Sequence, residues 1–249
     1  ISPQSWHFAS PQGQEVFKEW ANAYVGYDPE GAKAAFDKAG FVDADGDGWR
    51  DLPSGTPFTL IIDLSGWGNI LLNTPFVDTY KTNLEDVGCK VLINNVDGQP
   101  DDGIRGNYAL YMLKTAHISE LDLWTYPDWI FPLRGGGEGT RCFGMEGLWY
   151  QTGGAEGWEP EAGSPAARLQ EIYRQGLAEP DVQKRHELIW QAVQIYIDEG
   201  PFYIAATGDQ PVPVVAKNYM RNILEFGVTG PWAPGTPGNG HPEQWWMDK

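Results

Sequence analysis

Asp43, Asp45, Asp47 and Asp51 surround Gly46 and Gly48 in the run DADGDGWRD. Alternating carboxylates on a tightly turning backbone can gather the roughly six to eight oxygens that calcium takes. Numbered from Asp43, the carboxylates fall at positions one, three, five and nine. Gly48 falls at six, where the backbone must turn, and the Trp49 carbonyl at seven. Position twelve is Ser54, not the glutamate of a complete EF-hand loop. The expected ion is therefore structural and weakly held. The same residues also suit an Asp/Gly turn held by side-chain-to-backbone bonds.

The second set of chemistry-bearing residues is aromatic. The chain holds 12 tryptophans, and Trp67, Trp124, Trp129, Trp149, Trp158 and Trp232 fall in segments read as loops. An indole covers the flat C–H face of a pyranose, while Asp, Asn, Gln and Arg satisfy its rim of hydroxyls. Trp124, Tyr126, Asp128 and Trp129 supply both elements, with Arg134 close behind. Trp67 follows a strand end, a common place for ligand contacts in open α/β sheets. Trp149 is followed by Tyr150 and Gln151. The alternative role of such aromatics is to pin a loop onto the core.

Nothing points to catalysis. His7, His117, His186 and His241 make no metal-ligand spacing, and His186 is expected at a helix surface. There is no nucleophile elbow, phosphate loop or dinucleotide fingerprint; RGGGEGT at 134–140 follows no clear strand and opens no clear helix. A glycosidase pair of carboxylates cannot be placed from sequence. No catalytic residue is assigned, and the chain is not read as an enzyme.

Five helices must position these residues. They are expected at 11–24 behind Ser10, 29–39 behind Asp28, 75–87 behind Thr74, from 165 behind Ser164, and at 181–199. The recurring cap-then-proline opening is coherent, because proline lacks an N–H where a helix has no partner for one. The inward faces are Val16, Phe17, Trp20 and Tyr24; Phe76, Val77, Tyr80, Leu84 and Val87; Leu169, Ile172, Tyr173 and Leu177; and Leu188, Ile189, Ala192, Ile195 and Tyr196. Strands are expected at 58–64, 89–96, 108–115, 201–207 and 212–216. Strand 58–64, helix 75–87 and strand 89–96 form a right-handed crossover, so those two strands should be parallel. Residues 116–163 and 227–240 show no clear period.

A net charge of −17 and a pI near 4.5 argue against nucleic acid and anionic lipid as partners. No run of apolar residues is long enough to span a membrane. Cys89 and Cys142 are too few for a disulfide framework, and two thiols are expected in preference to a bridge.

The capped helix, acidic loop and apolar strand of residues 28–64 resemble a unit of the family 5 extracellular solute-binding proteins, the ligand-capturing receptors of ABC importers. LDLWTYPDW (121–129), EPDVQKRHELIWQAVQIYIDEGPFYIAATG (179–208) and HPEQWW (241–246) follow in the same order. The resemblance implies an α/β, class II periplasmic-binding-protein-like second lobe, with a mixed sheet flanked by helices. It implies a lobe at 1–208 and a tail at 209–249 that returns to an absent first lobe; the leader would be absent too. It further implies an extracytoplasmic location, in the periplasm or as a surface lipoprotein, with ABC permease subunits as partners. Trp67, Trp124, Tyr126, Asp128, Trp129, Arg134 and Trp149 would face the ligand. Asp43, Asp45, Asp47, Trp49 and Asp51 would hold a structural Ca2+. WYQTGG (149–154) and PEQWW look like the branch associated with cello-oligosaccharides. An oligopeptide is the alternative ligand, and a secreted glycoside hydrolase fragment is the rival from another class.

Overall fold

In chain order the helices are α1 (Pro11–Asn22), α2 (Pro29–Lys38), α3 (Ile70–Glu85), α4 (Gly144–Thr152), α5 (Pro165–Ala178) and α6 (Val182–Glu199). The strands are β1 (Thr59–Ser65), β2 (Lys90–Val96), β3 (Leu110–Met112), β4 (Met220–Arg221) and β5 (Trp246–Met247). The computed structural model describes residues 3, 5–65, 70–96, 110–112, 122–125, 127–135, 142–202, 215–225 and 241–248.

Four helices begin as their sequences require. Ser10, Asp28, Ser164 and Asp181 each accept a hydrogen bond from the backbone N–H three residues on. Each bond satisfies one of the donors a helix start leaves without a partner. Gly40 and Gly88 follow α2 and α3 with left-handed backbones.

Other expectations need correction. Helix α3 starts at Ile70, and Pro75 lies inside it instead of opening it behind Thr74. The apolar residues before Pro75 extend the helix upstream, so the proline removes one backbone bond without ending it. Tyr24 lies beyond α1 in a left-handed conformation and is exposed, not inward. Leu177 is also exposed. Helix α4 and the Pro127–Trp129 turn of 3-10 helix break up the stretch read as irregular. The strands expected at 201–207 and 212–216 fall largely outside the described residues.

The chain divides into two compact units: Ile1–Ala23, Thr115–Leu133 and Glu159–Lys249 in the first, and Tyr24–Lys114 and Arg134–Trp158 in the second. In the second unit, β1 pairs in parallel with β2 on one side and β3 on the other, giving the order β2-β1-β3. Helix α3 connects β1 to β2, so the predicted crossover and parallel pairing are both observed. Alternation along the strands puts Leu60, Ile62, Val91 and Ile93 on one face. There they pack with Val77, Tyr80 and Leu84 of α3. Ile61 and Leu92, paired in register, occupy the other face and are exposed.

Arg50 joins the parts of this unit. Its side chain is buried. It donates to the Val87 carbonyl at 2.7 Å, the Phe41 carbonyl and the Asp37 carboxylate at 2.6 Å. Its guanidinium lies over the Phe36 ring, 5.2 Å from the centroid. The residue's own N–H donates to the Gly88 carbonyl at 2.8 Å. One side chain therefore ties the end of α2, the end of α3 and the acidic loop together.

In the first unit α5 packs on α6, and α1 packs on α6. Leu169, Ile172, Leu188, Ile189, Ala192 and Val193 are buried there with Phe8, Ile130, Phe131 and Tyr196. Strands β4 and β5 pair antiparallel, and Arg221 bonds Asp248 at 2.8 Å beside them. Among the described residues no helix is long and apolar enough to cross a membrane. Cys89 and Cys142 form no disulfide with one another.

The Arg50 contacts give a stability prediction. Arg50→Lys keeps the charge but loses the planar fork that reaches three acceptors at once. It should lower the unfolding free energy by about 3 kcal/mol. Asp37 is 61% exposed, so Asp37→Asn should cost no more than about 1 kcal/mol. Urea midpoints of the two variants measure both; equal shifts would contradict the assignment of Arg50 as the joining residue.

Candidate functional site

Beyond the single 3-10 turn at Pro127–Trp129, the aromatic segment relies on side chains from elsewhere in the first unit to satisfy its backbone. The Leu123 N–H donates to His7 Nε2 at 3.0 Å. The Ile130 carbonyl accepts from the Tyr196 hydroxyl at 2.8 Å, and the Pro132 carbonyl accepts from Gln170 Nε2 at 3.0 Å. Asp122 folds the turn itself, accepting from the Trp124 N–H at 2.9 Å and the Thr125 hydroxyl at 3.2 Å. Helix α6 also holds His7 by its backbone, because Trp190 Nε1 donates to the His7 carbonyl at 2.6 Å.

His7 is fully enclosed. Its Nε2 accepts from Leu123, so the neutral ring carries its proton on Nδ1. That nitrogen lies 2.9 Å from His186 Nδ1 and donates to it. His186 is therefore half-buried and paired across to His7, not the solvated helix residue expected. Burial, followed by the neighbouring His186, lowers the His7 pKa from 6.5 to about 4. Burial also lowers that of His186.

Trp124 is pinned onto this unit. Its ring stacks on Phe131 at 5.5 Å and 22° and on Tyr173 at 6.3 Å and 25°. The Arg185 guanidinium lies over it, 5.1 Å from the centroid. Its far edge enters a notch at Gly176 in the middle of α5, where an added Cβ would come within 2.0 Å of Cη2. These contacts occupy ring surface that a sugar face would cover. Trp124 Nε1 is buried and donates to no group among the described residues. Asp128 and Trp129 follow in the 3-10 turn, both half-buried. Trp67 and Tyr126 lie outside the described residues.

Arg134 and Trp149 belong to the second unit. Arg134 is exposed, and its backbone crosses α4 at Gly147, where a Cβ would come within 2.1 Å of its carbonyl oxygen. Trp149 is half-buried on α4. Next to them, the Gly135 N–H donates to Gln151 Oε1 at 3.1 Å. An open groove of about 510 Å³ lies elsewhere, between the end of α5 and the start of α6, with Gln175, Glu179, Lys184 and Leu188 in its wall. None of the predicted ligand residues lines it.

The acidic loop is a net of short bonds. Asp43 accepts from the Gly46 and Gly48 N–H groups at 2.7 and 3.0 Å, Asp45 from Asp47 and Asp47 from Trp49. Asp51, which is buried, accepts from the Ala44 N–H at 2.9 Å. Oxygens of Asp43, Asp45 and Asp51 lie within 4.8 Å of one another, and Asp47 is not part of that cluster. Three converging carboxylates fit a divalent cation in donor type.

Sequence reasoning passed over His7, Arg50, Gln170 and Gly176. Two of them carried a signal. Arg50 is the one cation in an acidic loop, and a glycine inside a helix, about 1 kcal/mol worse than alanine, usually has a packing reason.

No protein-family model matches the chain, and no curated protein matches it. Solved structures do. The oligopeptide-binding protein OppA is 26% identical with a TM-score of 0.68, and the match covers 93% of this chain and 37% of that one. The periplasmic binding protein MelB from Agrobacterium fabrum C58, in complex with stachyose, is 16% identical with a TM-score of 0.52, covering 79% of this chain and 35% of that one. The fold is thus α/β, of the class II periplasmic-binding-protein type. The chain spans little more than a third of the length of these proteins. Both are binding proteins.

Two predictions follow from these contacts. Gly176→Ala gains about 1 kcal/mol of helix propensity, yet its methyl meets the Trp124 ring, an overpacking that costs about 1–3 kcal/mol. The net effect should be a lower melting temperature, and a rise would contradict the notch. For His7, the folded protein binds fewer protons than the unfolded chain between about pH 6.5 and 4. Stability is therefore full above that window and falls as pH drops through it, by up to about 3 kcal/mol. Urea titrations from pH 7 to pH 4 measure the slope, and His7→Gln should flatten it.

Proposed function

We propose that the chain is a lobe of a family 5 solute-binding protein of an ABC importer, and that its ligand is an oligosaccharide of the cello-oligosaccharide type. The observation that carries the solute-binding-lobe part of the reading is the match to OppA over 93% of this chain. The whole receptor sits outside the cytoplasmic membrane, in the periplasm or as a surface lipoprotein. An N-terminal lobe closes with this one over the ligand and presents it to permease subunits. Ligand favours the closed form because it touches both lobes there. No bond in the ligand is made or broken.

Trp67, Trp124, Tyr126, Asp128, Trp129, Arg134 and Trp149 face the ligand in this reading. The mixture of indole, phenol and carboxylate at 124–129 suits a neutral polyhydroxyl ligand, and MelB supplies a precedent with stachyose. The second reading is an oligopeptide ligand, favoured by the likeness to OppA, an oligopeptide-binding protein.

Tryptophan fluorescence of the two-lobed protein carrying this chain, titrated with cello-oligosaccharides and with short peptides, separates the readings. A saturable response to the sugars alone is expected, weakened about tenfold or more by Trp129→Ala. A response to peptides alone reverses the ligand class, and silence to both panels removes the reading.

Asp43, Asp45, Asp51 and the Trp49 carbonyl hold a structural Ca2+ in this reading, with Asp47 shaping the turn through its bond to the Trp49 N–H. Calorimetric titration of chelator-treated protein should give heat at about millimolar calcium, with a raised melting temperature. Neither effect in the native chain would remove the ion from the proposal.

A further inference from the structure

We propose that His7 is a proton-operated latch on the turn carrying Trp124: the neutral ring holds the turn through the Leu123 N–H, and the protonated ring releases it in exchange for Asp122. The exchange is built into one atom. Nε2 of His7 lies 3.0 Å from the Leu123 nitrogen and 3.4 Å from Asp122 Oδ1. With its lone pair free, Nε2 accepts from Leu123. With a proton bound there, it can only donate, and Asp122 Oδ1 is the acceptor at hand.

Both consequences fall on the same turn. Leu123 is fully buried, so its N–H loses an acceptor where water cannot replace it. Asp122 Oδ1 is also the oxygen that accepts the Trp124 N–H. A charged imidazole drawing on that oxygen competes with the bond that folds the turn. Trp124 stacks on Phe131, and the Ile130 and Pro132 carbonyls are tied to α6 and α5. Opening is therefore confined to the turn at 122–125, while the chain beyond it stays anchored.

Burial of the ring first, and then the charges around it, set the direction. From α6, His186 and Arg185 face it, and both oppose a proton on the ring; from the turn, Asp122 faces it and favours one. From α1 the contact is Gly13, which carries no charge. Trp190 reaches only the His7 carbonyl, so it keeps the residue seated in either state. The latch is closed at neutral pH and opens in acid. If residues 124–129 face ligand, as proposed above, acid weakens binding by loosening one wall; that consequence rests on the functional reading, whereas the latch itself does not.

The test uses this chain without ligand. Imidazole nitrogen shifts report His7 protonation, and amide hydrogen exchange at Leu123 and Trp124 reports the turn. Exchange rates are compared after correction for their intrinsic pH dependence. Both amides should lose protection by tenfold or more with the midpoint of the His7 titration, near pH 4, while Ile130 and Phe131 keep theirs. His7→Gln offers an uncharged acceptor at the same reach and should keep both amides protected through that range. Asp122→Asn removes the charge that favours protonation and should move the midpoint lower. Leu123 and Trp124 protection that ignores the His7 titration overturns the latch, as does a loss of protection that keeps the same midpoint in both variants. Sugar or peptide titration at neutral pH is read separately, so loss of the binding function and loss of the latch are distinguishable.

Discussion

An irregular segment that runs through a protein interior must find partners for backbone groups that no helix or sheet supplies. The stretch from 122 to 133 is such a segment, and its architecture follows from how that demand is met. His7 accepts from one N–H, and Tyr196 and Gln170 donate to two carbonyls. The three side chains come from the N-terminal turn, α6 and α5. Each is buried, so each bond is made where a missing partner is costly. The segment is thereby fixed in place by elements whose own geometry is set by apolar packing. This is the arrangement in which aromatic side chains on an irregular stretch can be held at defined positions.

The second unit meets the same demand with one residue. The last turns of α2 and α3 leave carbonyls without helical partners, and the arginine fork is suited to several acceptors at once. Arg50 donates to carbonyls that follow both helices and carries the acidic loop with it. The charge is compensated by Asp37, which reaches solvent. Burial of a cation here is tolerable because its polar edge is bonded and its flat face covers Phe36.

The parts of the fold that were legible in the sequence are those decided locally. Caps at Ser10, Asp28 and Ser164 act on N–H groups three residues away, and the inward face of α6 repeats at helical spacing. The β1–α3–β2 crossover follows from the order of its elements. The errors come where distant contacts decide. Pro75 reads as a helix opening because its local preference is strong, yet the preceding residues continue the helix. Helix α4 escaped notice because Gly144, Gly147 and Thr152 weaken its period. Gly147 is demanded by the Arg134 backbone, which no local pattern reveals. His186 reads as exposed, because its partner lies 179 residues away in the chain.

Trp124 and the acidic loop show why a site is harder to read than a helix. In each, one set of residues serves two physical purposes that share a composition. An indole in a loop satisfies the core and a sugar by the same apolar surface; only the positions of Phe131, Tyr173, Arg185 and Gly176 reveal how much of that surface is already covered. Alternating aspartates turn a backbone by accepting its N–H groups, and the turn so made brings their oxygens together. The carboxylates of Asp43, Asp45 and Asp51 each accept from the backbone and still converge within 4.8 Å. A carboxylate offers about four lone-pair positions, so backbone bonds and cation ligation do not compete for all of them. The bonds that explain the loop without an ion are also the bonds that would preorganise it for one.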